Sequence, residues 1–213
     1  MKAAFWVGLV LGFAGLLAAA HFVPWIGHAR LPSQTKVVAN GGRAEQFLIR
    51  LPVDRIGAAR GENGGLRTVA AKALPAELEK RPVLVEHFKV RDGAGNVIGL
   101  AARHWSGATP DAGTAWSVMI PSRGALLLTA PGEARGAIDT ALKTSGYNAG
   151  AAWTGDLKVE LTPKGGATGT VAAGSEEFDH LAGRYSEVWT VTGVSETGEL
   201  RGTIELNTVT NRT

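Results

Sequence analysis

Glu187 is the residue in this chain with the clearest chemical potential. It lies in the run Tyr185-Ser186-Glu187-Val188-Trp189-Thr190-Val191, where alternation puts Tyr185, Glu187, Trp189 and Val191 on one face of a strand. A carboxylate among aromatic rings loses water, and loss of water favours its neutral form, the condition a general acid or an internal ligand contact needs. Pairing with a basic residue such as Arg184 or Arg201, or exposure to solvent, would remove that property. Trp116, in the alternating run Thr114 to Ile120, adds a large apolar surface to the same kind of face. Trp116, Tyr185, Glu187 and Trp189 therefore read as the lining of a β-barrel or sandwich interior able to hold a small apolar molecule.

The other chemistry-bearing residues are more scattered. His87 and His104 fall on two strands of one expected hairpin, on the same face and two positions out of direct opposition, where they could converge on a ligand or work with Glu187 in acid–base chemistry. The five histidines show no metal-site spacing, and no cofactor motif occurs. Ser33 and Lys36 have the Ser-x-x-Lys spacing in which a lysine activates a serine, but no Ser-Asp-Asn element accompanies them and the surroundings are β-like rather than helical. Gly93, Gly95 and Gly99 echo a dinucleotide-binding loop. The residues beyond them alternate like a strand, whereas that loop must open a helix. The sequence thus assigns no catalytic residue, no cofactor and no metal.

Those residues must be positioned by strands. Val83 to Arg91 and Val97 to Trp105 alternate on either side of a glycine-rich turn, and a turn centred on Ala94 and Gly95 opposes Phe88 to Ala101, Val90 to Gly99 and Glu86 to Arg103. A second hairpin around Ser195 to Gly198 opposes Trp189 to Ile204, Val191 to Gly202 and Glu187 to Leu206. A shorter one around Asn40-Gly41-Gly42 places Phe47, Ile49 and Leu51 on one face. Residues 57–65 read as a loop, residues 74–81 as two turns of helix, and Ala125 to Ala130 as a strand buried on both faces. Pro131 to Ser145 has helical spacing at Ala134, Ile138, Ala141 and Leu142, with Gly146 placed to end it. Ser175 to Leu181 adds one short helical turn. The expected fold is mainly β, an antiparallel sandwich or barrel, with one or two short helices and an N-terminal transmembrane helix.

That last element comes from residues 3–26, which contain no formally charged side chain. As a helix they extend roughly 36 Å, enough to cross a ~30 Å hydrocarbon layer with some tilt. Trp6 and Trp25 suit its two interfaces, and Gly8, Gly12 and Gly15 give a small-residue face for close helix packing. The competing reading is a signal peptide cleaved near Ala20. The organisation is then an anchor or signal at 1–27, a linker at 28–34 and a β-rich extracytoplasmic domain at 35–213. Arg30, Lys36 and Arg43 after the span favour a cytoplasmic domain by charge counting. The secretory character of the segment favours export, to an inner-membrane single-pass protein with its domain in the periplasm or to a soluble periplasmic one after cleavage.

Composition narrows the classes further. The chain of 213 residues has no cysteine, which excludes disulfides, thiolate metal sites and a cysteine nucleophile. Its 22 basic and 19 acidic residues are interspersed, without the basic stripe a nucleic-acid surface needs. The partners implied are the lipid bilayer and a membrane or envelope protein, with a small apolar ligand as the alternative. The sequence reads as a non-catalytic, membrane-anchored accessory, scaffold or assembly subunit, or as a periplasmic barrel or sandwich binding a small apolar molecule.

Overall fold

A computed structural model describes residues 6, 8–15, 31–38, 41–62, 65–69, 83–106, 113–131, 134–161 and 169–212. Its strands are β1 (Gln34–Val37), β2 (Arg43–Leu51), β3 (Arg55–Glu62), β4 (Gly65–Val69), β5 (Val83–Arg91), β6 (Val97–Ser106), β7 (Gly113–Ile120), β8 (Gly124–Pro131), β9 (Trp153–Leu161), β10 (Gly169–Gly174), β11 (Leu181–Val194) and β12 (Leu200–Arg212). All pair antiparallel. The wall runs β2–β12–β11–β10–β8–β7–β6–β5 and returns to β2 through the pair Leu48 and Arg91, an eight-stranded barrel. β3 and β4 continue outward from β5, β1 lies along the start of β2, and β9 pairs with the upper part of β11.

Alternation of residue type makes the barrel. Along β2, Glu45, Phe47, Ile49 and Leu51 are buried while their neighbours are more exposed, and the same rhythm recurs at Trp116, Val118 and Ile120. Each such row sends one face inward. Both long hairpins have the register their sequences imply: Phe88 faces Ala101, Val90 faces Gly99 and Glu86 faces Arg103, while Glu187 faces Leu206, Trp189 faces Ile204 and Val191 faces Gly202. The helix Ala134–Thr144 ends at Gly146, whose φ of +87° suits a residue without Cβ. It packs on β9 and sends Ile138 and Leu142 into the core. A 3-10 turn, Glu176–Phe178, buries Phe178.

Two expectations are corrected. Residues 57–65 do not form a loop but fall largely in β3 and β4, where cross-strand bonds to β5 order a glycine- and arginine-containing segment that has no alternation of its own. Ala125 to Ala130 is buried on one face only, since Leu127 points outward and is 37% exposed, as a barrel wall requires. The expected helix at 74–81 lies outside the described residues.

At the N-terminus, residues 8–15 are helical, with Trp6 exposed and, among the described residues, no atom within 4 Å of where a Cβ would stand on Gly8, Gly12 or Gly15. Among the described residues no helix is long and apolar enough to cross a membrane. Trp25 and residues 28–30 of the linker lie outside them.

Candidate functional site

The interior is organised by one cross-strand row. Glu86 on β5 faces Arg103 on β6, Arg103 faces Trp116 on β7, and Trp116 faces Leu128 on β8. Closing the barrel brings β11 against this row. There Glu187 accepts hydrogen bonds from Trp116 Nε1 at 3.0 Å and Trp189 Nε1 at 2.6 Å, and Arg103 Nη2 lies 3.0 Å from Glu187 Oε1. The Arg103 guanidinium sits between the rings of Trp116 and Trp189, at 5.2 and 4.9 Å from their centroids. Each ring offers the cation its electron-rich face while its N–H serves the carboxylate. Burial lowers the Arg103 pKa from its usual value, and the charges of Glu187 and Glu86 oppose that shift.

A second buried pair adjoins it. Arg55 Nη2 lies 3.1 Å from Glu86 Oε1, with the guanidinium 5.9 Å from the Phe88 centroid. Two arginines and two glutamates therefore neutralise each other inside the wall. Tyr185 stands on the same face of β11 as Glu187, its ring against Gly169 on β10, where an added Cβ would collide with it. Burial, and then the Glu187 charge, push the Tyr185 pKa up, so the phenol stays protonated. Its hydroxyl has no hydrogen-bond partner among the described residues.

This cluster is closed. Trp116 and Arg103 are 0% exposed and Glu187 is 2% exposed, so no water-sized space touches the first two and almost none the third. Four residues that the sequence groups as a lining, Trp116, Tyr185, Glu187 and Trp189, do share the interior. The histidines do not join them. His87 is exposed on the outer face of β5, and His104, half-buried on the outer face of β6, has Nε2 3.4 Å from Ser117 Oγ. Burial and then the proximity of His87 lower the His104 pKa. A joint role for either histidine with Glu187 fails because the wall separates them. Among the described residues no group of three or more acidic or histidine side chains is placed to hold a metal ion.

Two buried ionic knots were not legible in the sequence. At the lower end of the barrel, Arg123 in the β7–β8 turn donates from Nη1 to Ser33 Oγ at 2.7 Å, from Nη2 to Glu45 Oε1 at 2.7 Å, and from Nε and Nη2 to Glu177 at 3.1 and 3.0 Å. It also lies 4.8 Å from the Phe178 centroid. The turn that supports it brings Gly124, at φ +111°, against the Ser175 carbonyl. Beside the closing pair of strands, Asp54 accepts from Arg91 Nη2 at 2.7 Å and from the Arg50 amide at 2.8 Å. An open surface cleft of about 390 Å³ lies beside Met119 and Glu176 at the lower end, and one of about 540 Å³ beside Trp153 and Arg201 at the upper end. Neither is lined by a residue of the Arg103–Glu187 cluster.

No protein-family model matches the chain, and no curated protein matches it in sequence. Among solved structures the chain is similar to that described as "Structure of the pterocarpan synthase dirigent protein PsPTS1", at 10% identity and a TM-score of 0.43, over 81% of this chain and 96% of that one. So distant a likeness transfers no residue and no activity to this protein.

Proposed function

We propose that the chain is a non-catalytic barrel, tethered to a membrane by residues 3–26, that acts through its outer surface as an accessory or scaffold subunit. The observation that carries this reading is the closed interior: Glu187 is held by Arg103 and two indoles and Glu86 by Arg55, while the Tyr185 hydroxyl and Arg55 Nε and Nη1 are buried without a hydrogen-bond partner among the described residues. A pocket for a small apolar molecule needs unfilled space at Trp116 and Glu187, and those side chains are packed shut. The uncharged segment supports the tether, with the barrel exported to the periplasmic side of an inner membrane.

Intact-mass analysis, membrane fractionation and protease access from the periplasmic side test it together, alongside titration with the apolar dye 1-anilinonaphthalene-8-sulfonate. The expected result is a full-length mass, retention with membranes, cleavage from outside and no saturable dye site. A mass beginning at His21 in the soluble fraction, or a stoichiometric dye site lost on Trp116→Ala while the fold persists, overturns the reading.

A further inference from the structure

The lower end of the barrel has a surface that the closed interior does not explain. Val97, Leu100 and Met119 are 46%, 51% and 59% exposed, and Leu100 and Met119 are direct cross-strand neighbours at the ends of β6 and β7. Basic side chains border them: exposed Lys89 is the cross-strand partner of Leu100, and exposed Arg50 meets the β5–β6 turn at Gly95, two residues from Val97. Glu176 and Asp179 are the exposed acids nearby. The turn at the opposite end, Ser195 to Glu199, is polar.

The chain joins the barrel at this same lower end. Leu31 packs on the core, and Ser33 is fixed by Arg123 and Glu45. From Ile26, the last residue of the uncharged segment, to Leu31 is five peptide steps, which reach at most roughly 18 Å in any conformation. A bilayer holding residues 3–26 therefore keeps the lower end beside its headgroups. Apolar side chains bordered by lysine and arginine are what an anionic lipid surface accepts, the first entering the acyl boundary and the second meeting phosphate. A second copy of the chain packed face to face on this patch would bring Lys89 and Arg50 towards their own equivalents, which like-charge repulsion opposes.

We infer that Val97, Leu100 and Met119 form a membrane-resting foot that seats the barrel on anionic lipid, an inference that rests on the tether proposed above. Since the chain has no cysteine, single nitroxide labels are placed cleanly. The full-length variants Phe13→Cys, Leu100→Cys, Met119→Cys and Glu196→Cys are labelled and reconstituted in vesicles of phosphatidylethanolamine and phosphatidylglycerol. Collision with oxygen and with a water-soluble nickel chelate is then compared by electron paramagnetic resonance.

The expected result is an oxygen-to-nickel ratio at 100 and 119 severalfold above that at 196, with 13 higher still. Aqueous ratios at 100 and 119 with 13 in lipid overturn the foot and leave the tether standing. An aqueous ratio at 13 as well overturns both, whereas lipid ratios at 100 and 119 with 13 aqueous sustain the foot without the tether. Shielding at 119 that persists in detergent with dipolar broadening assigns the surface to a second copy and overturns the lipid assignment.

Discussion

Replacing Glu187 with glutamine changes one atom of the carboxylate and removes its charge. In the native barrel the two oxygens accept from the indoles of Trp116 and Trp189 and face the Arg103 guanidinium as an ion pair, all inside the core. The amide keeps one accepting oxygen and turns an NH2 towards a donor. At least one indole N–H is then unpaired, at about 1–3 kcal/mol, and Arg103 loses its closest counter-charge. Breaking a buried pair from one side costs about 3–5 kcal/mol, and the two estimates overlap rather than add. A loss of about 4 kcal/mol lowers the melting temperature by roughly 8–16 °C for a chain of this size.

Urea unfolding followed by circular dichroism and tryptophan emission measures that loss. The double variant Arg103→Met with Glu187→Leu removes both charges, and its stability is expected to lie nearer the native value than that of Glu187→Gln. A Glu187→Gln protein within about 1 kcal/mol of native, the ordinary range for a surface change, would refute the assignment of Glu187 as the centre of the interior.

Two further outcomes test other parts of the structure. Arg123→Met removes the cation beside Glu45, which is almost fully buried and keeps the Ser33 hydroxyl, and leaves Glu177 with Arg43, so a loss of about 3–5 kcal/mol is expected. Amide exchange should quicken first at 31–37, before the barrel itself opens. His104 should titrate below an ordinary histidine by NMR, and His87→Ala should raise its pKa only part of the way because burial is the larger cause. The unfolded imidazole takes up a proton more readily than the folded one, so this group's contribution is present above the ordinary histidine value and is lost as pH falls through the folded value.

How much the sequence reveals depends on the range of the interactions. The β5–β6 and β11–β12 hairpins were legible because a period of two and a turn between them fix register locally, and the same parity correctly sent Glu187 inward. The pair Glu86 and Arg103 was legible as cross-strand neighbours, and both share the inward parity of Phe88. Missing was the fact that closure sets β6 against β11, residues more than eighty apart, so that Arg103 meets Glu187. Arg123 and Asp54 sit in turns, where charged residues ordinarily face water. Only the convergence of Ser33, Glu45 and Glu177, or of Arg91 and the Arg50 amide, buries them. The histidines misled because a shared face on one hairpin does not say whether that face looks inward.

The position of β2 in the wall has a consequence for how the molecule is made. One edge of β2 is bonded along nearly its whole length to β12, and the other carries β1 over residues 43–46 and touches β5 at a single pair. β2 is translated early and β12 only after some 150 further residues, a separation that belongs to slow, non-local assembly. The meander β5 to β8 has short-range partners and can form while the ribosome is still at work. Phe47 and Ile49 have no such partners, and their apolar edge stays unpaired until residues 200–212 emerge. During that interval the nascent chain presents an open strand edge of the kind that chaperones shield and that other chains can capture.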